Sequence, residues 1–246
     1  MIKFWDGPLP KAGERTVKDM ESVLYDTKSG MDPSTPLYFM YRALSKNERD
    51  AKWLEDNGLR YDITVIPANR LGAEFVKTKG HYHPNAPCGR GYPELYQVLE
   101  GEAHFMLQNR NLSDICVIRA SEGDVVLIPS GYGHVTINPS QKRLVMANIV
   151  SCEFESEYEF YGDMHGAAYY ELDSGFVRNP HYADGLPDIR VIDSFEIPEL
   201  DLKHGVPIYS FIGRDILPKY LNVPKILDTV KAPEYRRFLT NQPKVD

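Results

Sequence analysis

From Tyr61 onward the chain is divided into short runs that are rich in apolar and β-branched residues and are separated by glycine, proline and asparagine. Their length and composition are typical of β-strands. The runs are Tyr61–Ile66, Ala73–Lys77, Leu95–Leu99, Ala103–Gln108, Ile115–Arg119, Asp124–Ile128, His134–Ile137 and Leu144–Val150. Many short strands joined by tight turns indicate a sandwich or a small barrel. The pattern therefore predicts an all-β protein.

The first 58 residues are mixed in character and contain one clear helix signal. Residues 45–48 (SKNE) have the spacing of a capping box, and apolar Ala51 and Leu54 follow on one face. Residues 57–58 (NG) are a typical helix end. We expect residues 1–58 to form an N-terminal arm with a short helix.

The end of the chain has regularly placed prolines and little hydrophobic periodicity. We expect residues 176–246 to be an extension without a catalytic role, which wraps the barrel or contacts a neighbouring subunit and ends in a short helix near 234–239. Residues 59–175 are then the barrel core, and 1–246 is predicted to be a single domain.

Composition narrows the possible partners and location. The 246 residues carry a net charge of −7, which gives no reason to expect a nucleic-acid partner. The three cysteines form no Cys-x-x-Cys pair and are typical of reduced thiols. The beginning of the chain lacks the apolar stretch of a signal peptide, and runs such as Val125–Ile128 are too short to span a bilayer. We expect a cytoplasmic protein without a membrane partner.

Three histidines and one glutamate have spacings that let them meet. His81 and His83 are two residues apart, so on a strand they share one face. Residues 84–93 contain prolines and glycines and predict a loop, after which Glu94 begins a strand. His134 begins another strand after a Pro-x-Gly-x-Gly turn. Three imidazoles and a carboxylate are a typical ligand set for one divalent metal ion.

The same alternation identifies further side chains that should face this site. Tyr96 lies two residues after the glutamate, and Thr136 and Asn138 lie two and four residues after the third histidine. We expect all three to face the cavity that contains the metal ligands.

Together these stretches resemble the two motifs of the cupin superfamily, and residues 78–83 (TKGHYH) with 92–96 (YPELY) resemble the cupin-type glucose-6-phosphate isomerases first known from archaea. Residues 15–26 and 101–108 are also similar to that family, and the resemblance covers approximately 15–182. It implies a single cupin jelly-roll barrel (double-stranded β-helix) and an enzyme that interconverts glucose 6-phosphate and fructose 6-phosphate.

The resemblance also implies roles for individual residues. The metal ligands would be His81, His83, Glu94 and His134; the phosphate contacts would be Thr64, Thr78 and Gly80; and the aromatic residues of the sugar site would be Tyr92 and Tyr96. A later tyrosine and histidine of the family correspond only loosely in spacing to Tyr161 and His165.

Thr78 is three residues from His81, so in a regular strand its side chain would point to the opposite face, away from the metal. A bulge at Gly80 would reset the register, and its exposed backbone N–H could then help to hold an anion.

The chemistry follows from the metal and the carboxylate. A divalent ion contacting substrate O1 and O2 would polarise the carbonyl, and Glu94 is the candidate base, with Tyr96 beside it among the catalytic residues. A metal-assisted hydride shift, in which Glu94 is chiefly a ligand, stays open. Fe²⁺ is our first choice of metal, and Mn²⁺, Ni²⁺ and Zn²⁺ also suit these ligands.

Other functions are compatible with the same residues. A cupin dioxygenase could use the same three histidines and glutamate, and a non-catalytic sugar-binding cupin is a third possibility. Mannose 6-phosphate could also be a substrate. A homodimer is expected, because pairing covers exposed sheet edges.

Overall fold

The structure is a computed structural model that describes residues 4–26, 30–214 and 219–241. The parts of the predicted arm and extension at 1–3, 27–29, 215–218 and 242–246 lie outside the described residues. The strands are β1 (Gly13–Thr16), β2 (Pro36–Tyr41), β3 (Leu59–Ile66), β4 (Arg70–Leu71), β5 (Glu74–Phe75), β6 (Glu94–Glu100), β7 (Glu102–Asn109), β8 (Ile115–Ser121), β9 (Val125–Ile128), β10 (Tyr132–Ile137), β11 (Leu144–Ser151), β12 (Tyr169–Leu172), β13 (Gly175–Arg178) and β14 (Arg190–Asp193).

Among the described residues, helices are fewer than strands. The α-helices are α1 (Val17–Met20), α2 (Glu48–Asp56), α3 (Glu159–Asp163), α4 (Lys219–Asn222) and α5 (Pro233–Thr240). The 3₁₀ helices are Glu21–Val23, Pro198–Leu200, Ile208–Phe211 and Pro224–Thr229. No helix within the described ranges has both the length and the apolar character needed to cross a bilayer.

Two antiparallel layers enclose the core. A six-stranded sheet has the order β1-β2-β3-β11-β6-β9, and a four-stranded sheet has the order β10-β7-β8-β14, in which β14 joins β8 in parallel. A third sheet, β13-β12-β5-β4, lies beside them. Buried side chains from the two larger sheets, such as Val98, Phe105 and Ile118, form one cluster. The all-β, jelly-roll prediction is confirmed, although the described strands form three sheets instead of one closed barrel.

Strand β3 shows why both faces of the six-stranded sheet are buried. Tyr61, Ile63 and Val65 alternate onto the outer face and belong to a second cluster that includes residues from the C-terminal part of the chain. Ile208 and Phe211 are members of that cluster. The C-terminal part therefore wraps the sheet and covers a face that would otherwise expose a large apolar surface.

Most predicted strands agree with the structure to within two residues at each end. The least complete match is Ala73–Lys77, of which only Glu74–Phe75 forms a strand. Strands β1, β2, β4 and β12 to β14 were not predicted.

The ends of the predicted helices differ in one detail. Helix α2 is capped by Asn47, whose side-chain oxygen accepts a hydrogen bond from the Asp50 N–H at 3.0 Å. The predicted capping box starting at Ser45 is therefore wrong by two residues. Asn57 ends this helix as predicted, and the C-terminal helix is confirmed as α5.

Candidate functional site

The backbone brings the histidines together across two neighbouring segments. His81 forms an isolated antiparallel bridge with His134, the third residue of β10. The His134 N–H donates to the His81 carbonyl at 3.0 Å. Glu94 approaches from the other large sheet, where it begins β6 and pairs with Val150 of β11. The two facing sheets therefore contribute different members of the predicted ligand set.

Four donor atoms converge at this point. His81 Nε2 lies 3.2 Å from His83 Nε2, and Glu94 Oε2 lies 3.4 Å from His83 Nε2 and 3.3 Å from His134 Nε2. The potential ligand atoms of His81, His83, Glu94 and His134 all lie within 4.8 Å of one another. Octahedral bonds of about 2.1 Å place neighbouring ligands about 3 Å apart. The donor set therefore fits a single divalent ion.

The histidines are held in the form that binds metal. His83 Nδ1 is 2.9 Å from the Tyr92 carbonyl, to which it donates, so its Nε2 lone pair points into the site. Burial lowers the pKa of His81, His83 and His134 to about 3, so the imidazoles are neutral at ordinary pH. Neutral imidazole is the ligand form of histidine.

Asn148 fixes the glutamate. Its side-chain amide donates to Glu94 Oε1 at 2.6 Å, and both residues are buried. This bond uses one carboxylate oxygen and leaves Oε2 toward the imidazoles. Asn148 is therefore a positioning residue for the carboxylate.

A bulge explains how Thr78 reaches the same face as the histidines. Lys77 bridges Ile137 and His81 bridges His134, so one segment advances four residues while its partner advances three. The extra residue resets the alternation, as predicted for the region of Gly80. A Cβ atom on Gly80 would lie 2.2 Å from the Tyr161 ring, so this backbone packs directly against a buried aromatic side chain.

A cleft opens above the ligands, and its free volume, including the part that is open to solvent, is about 560 Å³. Three of the predicted substrate contacts, Thr64, Thr78 and Tyr96, line it together with His81, His83 and Glu94. The Tyr96 hydroxyl is 3.2 Å from His134 Nε2, and burial raises the pKa of Tyr96 well above its usual value, so the hydroxyl keeps its proton.

Two other predicted contacts lie beside the cleft. Gly80 packs under Tyr161, and the Tyr92 ring stacks on Phe154, with centroids 4.7 Å apart. The Phe154 ring in turn lies 4.4 Å from the His83 ring. Neither Gly80 nor Tyr92 is among the cleft-lining residues.

The expectation that Thr136 and Asn138 face the cleft is wrong. The Asn138 amide donates to the carbonyls of Ile66, Pro67 and Lys142 and so holds a turn. Thr136 is buried and does not line the cleft, and its backbone N–H donates to the Thr78 hydroxyl at 2.9 Å. Both residues therefore support the segments that carry the site.

A protein-family model described as glucose-6-phosphate isomerase (GPI) matches residues 13–187, which is more than half of the chain. The chain belongs to the glucose-6-phosphate isomerase (GPI) family. A glucose-6-phosphate isomerase from Pyrococcus abyssi is 25% identical over 64% of this chain and 80% of its own length. One from Thermococcus litoralis is 24% identical over 60% and 74%. An oxalate decarboxylase structure from Bacillus subtilis covers 49% of this chain and 27% of its own, with a TM-score of 0.35 and 18% identity.

Several cleft residues of this family member were not predicted. Strand alternation could have identified two of them. Asn148 lies two residues from Met146 on β11, and Arg60 lies four residues from Thr64 on β3, so each shares a face with a cleft residue. Arg42 and Lys79 lie outside the predicted strands, and sequence patterning gave no signal for them. All four line the cleft.

The later aromatic residue of the site is Tyr158. Its ring lies 5.2 Å from the His81 ring, and it lines the cleft. Tyr161, one of the two loosely matching candidates, is instead buried against Gly80 and Tyr82. His165, the other candidate, stacks on His181 at 4.0 Å. The two residues that match the family only loosely in spacing, Tyr161 and His165, therefore lie outside the cleft lining.

Proposed function

We propose that this chain is a metal-dependent aldose–ketose isomerase that interconverts glucose 6-phosphate and fructose 6-phosphate. Membership of the glucose-6-phosphate isomerase family and the names of the archaeal relatives support this activity. The observation that carries it is the convergence of His81, His83, Glu94 and His134 at a cleft that the first three of these side chains help to line.

The proposed cofactor is one divalent ion, with Fe²⁺ as the first choice and Mn²⁺, Ni²⁺ or Zn²⁺ as alternatives. When bound, such an ion supplies Lewis acidity, which polarises a carbonyl oxygen and stabilises the negative charge that develops on it. The neutral state of the three imidazoles and the tautomer imposed on His83 prepare the chain for this ion.

The chain's own residues supply the proton chemistry. Glu94 is the proposed base that removes the proton from the carbon next to the carbonyl, and Asn148 holds its carboxylate in place. Tyr96 keeps its proton because of burial, so its hydroxyl can donate a hydrogen bond to a substrate oxygen. Both groups lie on β6, two residues apart and on the same face.

The proposed substrate contacts are the ones that the family resemblance implies: Thr64, Thr78 and Gly80 for the phosphate, and Tyr92 and Tyr96 for the sugar. Thr64 and Thr78 both line the cleft. For Gly80 the proposed contact is its backbone N–H at the bulge, and for Tyr92 it is the ring edge beside Phe154.

We also propose that the protein is a cytoplasmic homodimer. All three cysteines, Cys88, Cys116 and Cys152, are free thiols, which supports a reducing compartment. Strands β1 and β9 are the edges of the six-stranded sheet, and such edges favour pairing with a second copy.

Metal removal tests the proposed function. Fructose 6-phosphate should be converted to glucose 6-phosphate in a coupled assay, and full removal of metal by a chelator should abolish the conversion. Readdition of Fe²⁺, Mn²⁺, Ni²⁺ or Zn²⁺ in separate samples should restore it and rank the metals. Unchanged turnover in the metal-free protein would contradict the proposal, as would oxygen uptake by a protein that does not convert fructose 6-phosphate.

A further inference from the structure

One wall of the cleft carries more positive charge than the metal ligands and threonines explain. Arg42, Arg60 and Lys79 all line the cleft, although the whole chain has a net charge of −7. Besides Glu94, the cleft-lining residues include no carboxylate. This local excess of positive charge is therefore a property of the site and not of the protein surface as a whole.

A buried carboxylate orients the two arginines. Asp62 is 1% exposed, and its Oδ2 accepts hydrogen bonds at 2.8 Å from Arg42 Nη1 and at 2.8 Å from Arg60 Nε. Asp62 Oδ1 accepts a hydrogen bond from the Ala43 N–H at 2.9 Å. Both carboxylate oxygens thus accept hydrogen bonds, and the buried carboxylate holds the two arginine side chains in place.

The two guanidinium groups keep unused N–H donors and are partly exposed to solvent. Each has five N–H donors, and each uses one of them on Asp62. The side chains of Arg42 and Arg60 are 46% and 33% exposed, whereas that of Asp62 is 2% exposed. Two guanidinium groups that are held by a buried carboxylate and keep free N–H donors on the cleft side are suited to bind an anion with several oxygens.

The sign of the charge suits a phosphate monoester. Arg42, Arg60 and Lys79 carry three positive charges, and Asp62 and Glu94 carry two negative charges, which leaves an excess of one before the proposed divalent ion is counted. A phosphate monoester carries about −1.5 to −2 charges at neutral pH. The position also fits, because Arg42 Nη2 contacts Met40 Sδ at 3.2 Å and Met40 is the cross-strand partner of Thr64.

We propose that Arg42 and Arg60, oriented by Asp62, recognise the charge of the substrate's phosphate and give the enzyme its preference for phosphorylated over neutral sugars. This inference rests on the proposed isomerase function. It adds two guanidinium groups to a phosphate site that the sequence predicts from hydroxyls and a backbone N–H alone. In this role Asp62 is a positioning residue that does not itself touch the substrate.

The test compares Arg42→Ala, Arg60→Ala and Arg42→Lys with wild type. Each single replacement leaves Asp62 one arginine partner, so the buried carboxylate stays paired. The KM for fructose 6-phosphate should rise about 10- to 100-fold in the alanine variants, equivalent to about 1.4–2.8 kcal/mol. The kcat should change much less. The KM of Arg42→Lys should lie between those of wild type and Arg42→Ala, because lysine keeps the positive charge but lacks the planar set of guanidinium N–H donors.

Inorganic phosphate is the second probe, measured by calorimetric titration of the metal-loaded protein. Its affinity should fall by a factor similar to the rise in KM. Arg119→Ala is the control, because Arg119 is 53% exposed, pairs with Asp193 and lies outside the cleft. It should leave KM and phosphate affinity unchanged.

The outcomes separate this inference from the proposed function. If wild type converts fructose 6-phosphate and the two alanine variants keep its KM and its phosphate affinity, the arginines only neutralise Asp62 and the inference is wrong. If wild type does not convert fructose 6-phosphate, the isomerase proposal is wrong, and the phosphate titration alone decides the anion site. Weaker phosphate binding by Arg42→Ala and Arg60→Ala would then support it, and equal binding would overturn it.

Discussion

Glu94→Gln is expected to lower kcat for fructose 6-phosphate isomerisation by about 10²–10⁴-fold, the usual contribution of a positioned general base. The replacement keeps the size of the side chain but removes the charge that faces His83 and His134 at 3.4 and 3.3 Å. The amide oxygen of the replacement can still accept the hydrogen bond from Asn148, so the side chain stays positioned. Steady-state kinetics at saturating metal measure the effect on chemistry apart from any loss of metal affinity.

Glu100→Gln is the matched control, because Glu100 ends the same strand β6, pairs with Arg143 and lies outside the cleft. It should retain wild-type kcat. Full activity of Glu94→Gln would remove this residue from the mechanism. Reaction in deuterium oxide distinguishes its roles: deuterium entering the product is expected from a base, and complete retention of substrate hydrogen would make Glu94 a ligand only.

Gly80→Ala is expected to lower the free energy of unfolding by about 1–3 kcal/mol, the usual cost of overpacking a core. The new methyl group would lie 2.2 Å from Tyr161 Cδ1 and 2.7 Å from Val135 Cγ2, and both residues are buried. The segment would have to move away from Tyr161, which displaces His81 directly after it. A displacement of this kind can reduce turnover by about 10²-fold. Denaturant unfolding and kcat measure the two effects.

Gly162→Ala is the control for the glycine replacement. Gly162 lies in helix α3, and a Cβ atom there would meet no heavy atom within 4 Å. This variant should be as stable as wild type or more stable by about 0.5–1 kcal/mol. Wild-type stability and activity of Gly80→Ala would show that the bulge does not depend on a glycine at this position.

The central strands of the fold could be predicted because each carries its own signal. Runs such as Ala103–Gln108 and Leu144–Val150 are flanked by turn residues, and their apolar side chains pack between or outside the two large sheets. Strands β1 and β2 have no such alternation. They are strands because β2 pairs with β3 and β1 pairs with β2, and local patterning does not contain such contacts.

The metal ligands could be predicted because each lies in a motif that is local in the sequence. His81 and His83 needed only the two-residue period of a strand, and the loop between His83 and Glu94 is marked by prolines and glycines. The roles of Thr136 and Asn138 could not be predicted, because alternation along a strand does not show whether a side chain reaches the cleft or which group it contacts. The Thr136 N–H donates to the Thr78 hydroxyl, and the Asn138 side-chain amide donates to the Lys142 carbonyl in a turn.

The basic wall of the cleft shows a second limit. Arg60 and Asp62 share the inward face of β3 with Thr64, so alternation alone would have placed them in the site. Arg42 follows the end of β2, and only the pairing of that strand with β3 brings its guanidinium to Asp62. Its contribution depends on a contact between segments 20 residues apart.

Anomalous scattering from crystals of the protein loaded with Zn²⁺, a stable substitute for the proposed Fe²⁺, tests the metal centre most directly. The account predicts one peak at the zinc edge, about 2.0–2.2 Å from three imidazole nitrogens and a carboxylate oxygen, those of His81, His83, His134 and Glu94. A zinc-loaded crystal with no peak among these four side chains, or with its ion bound elsewhere, would contradict it.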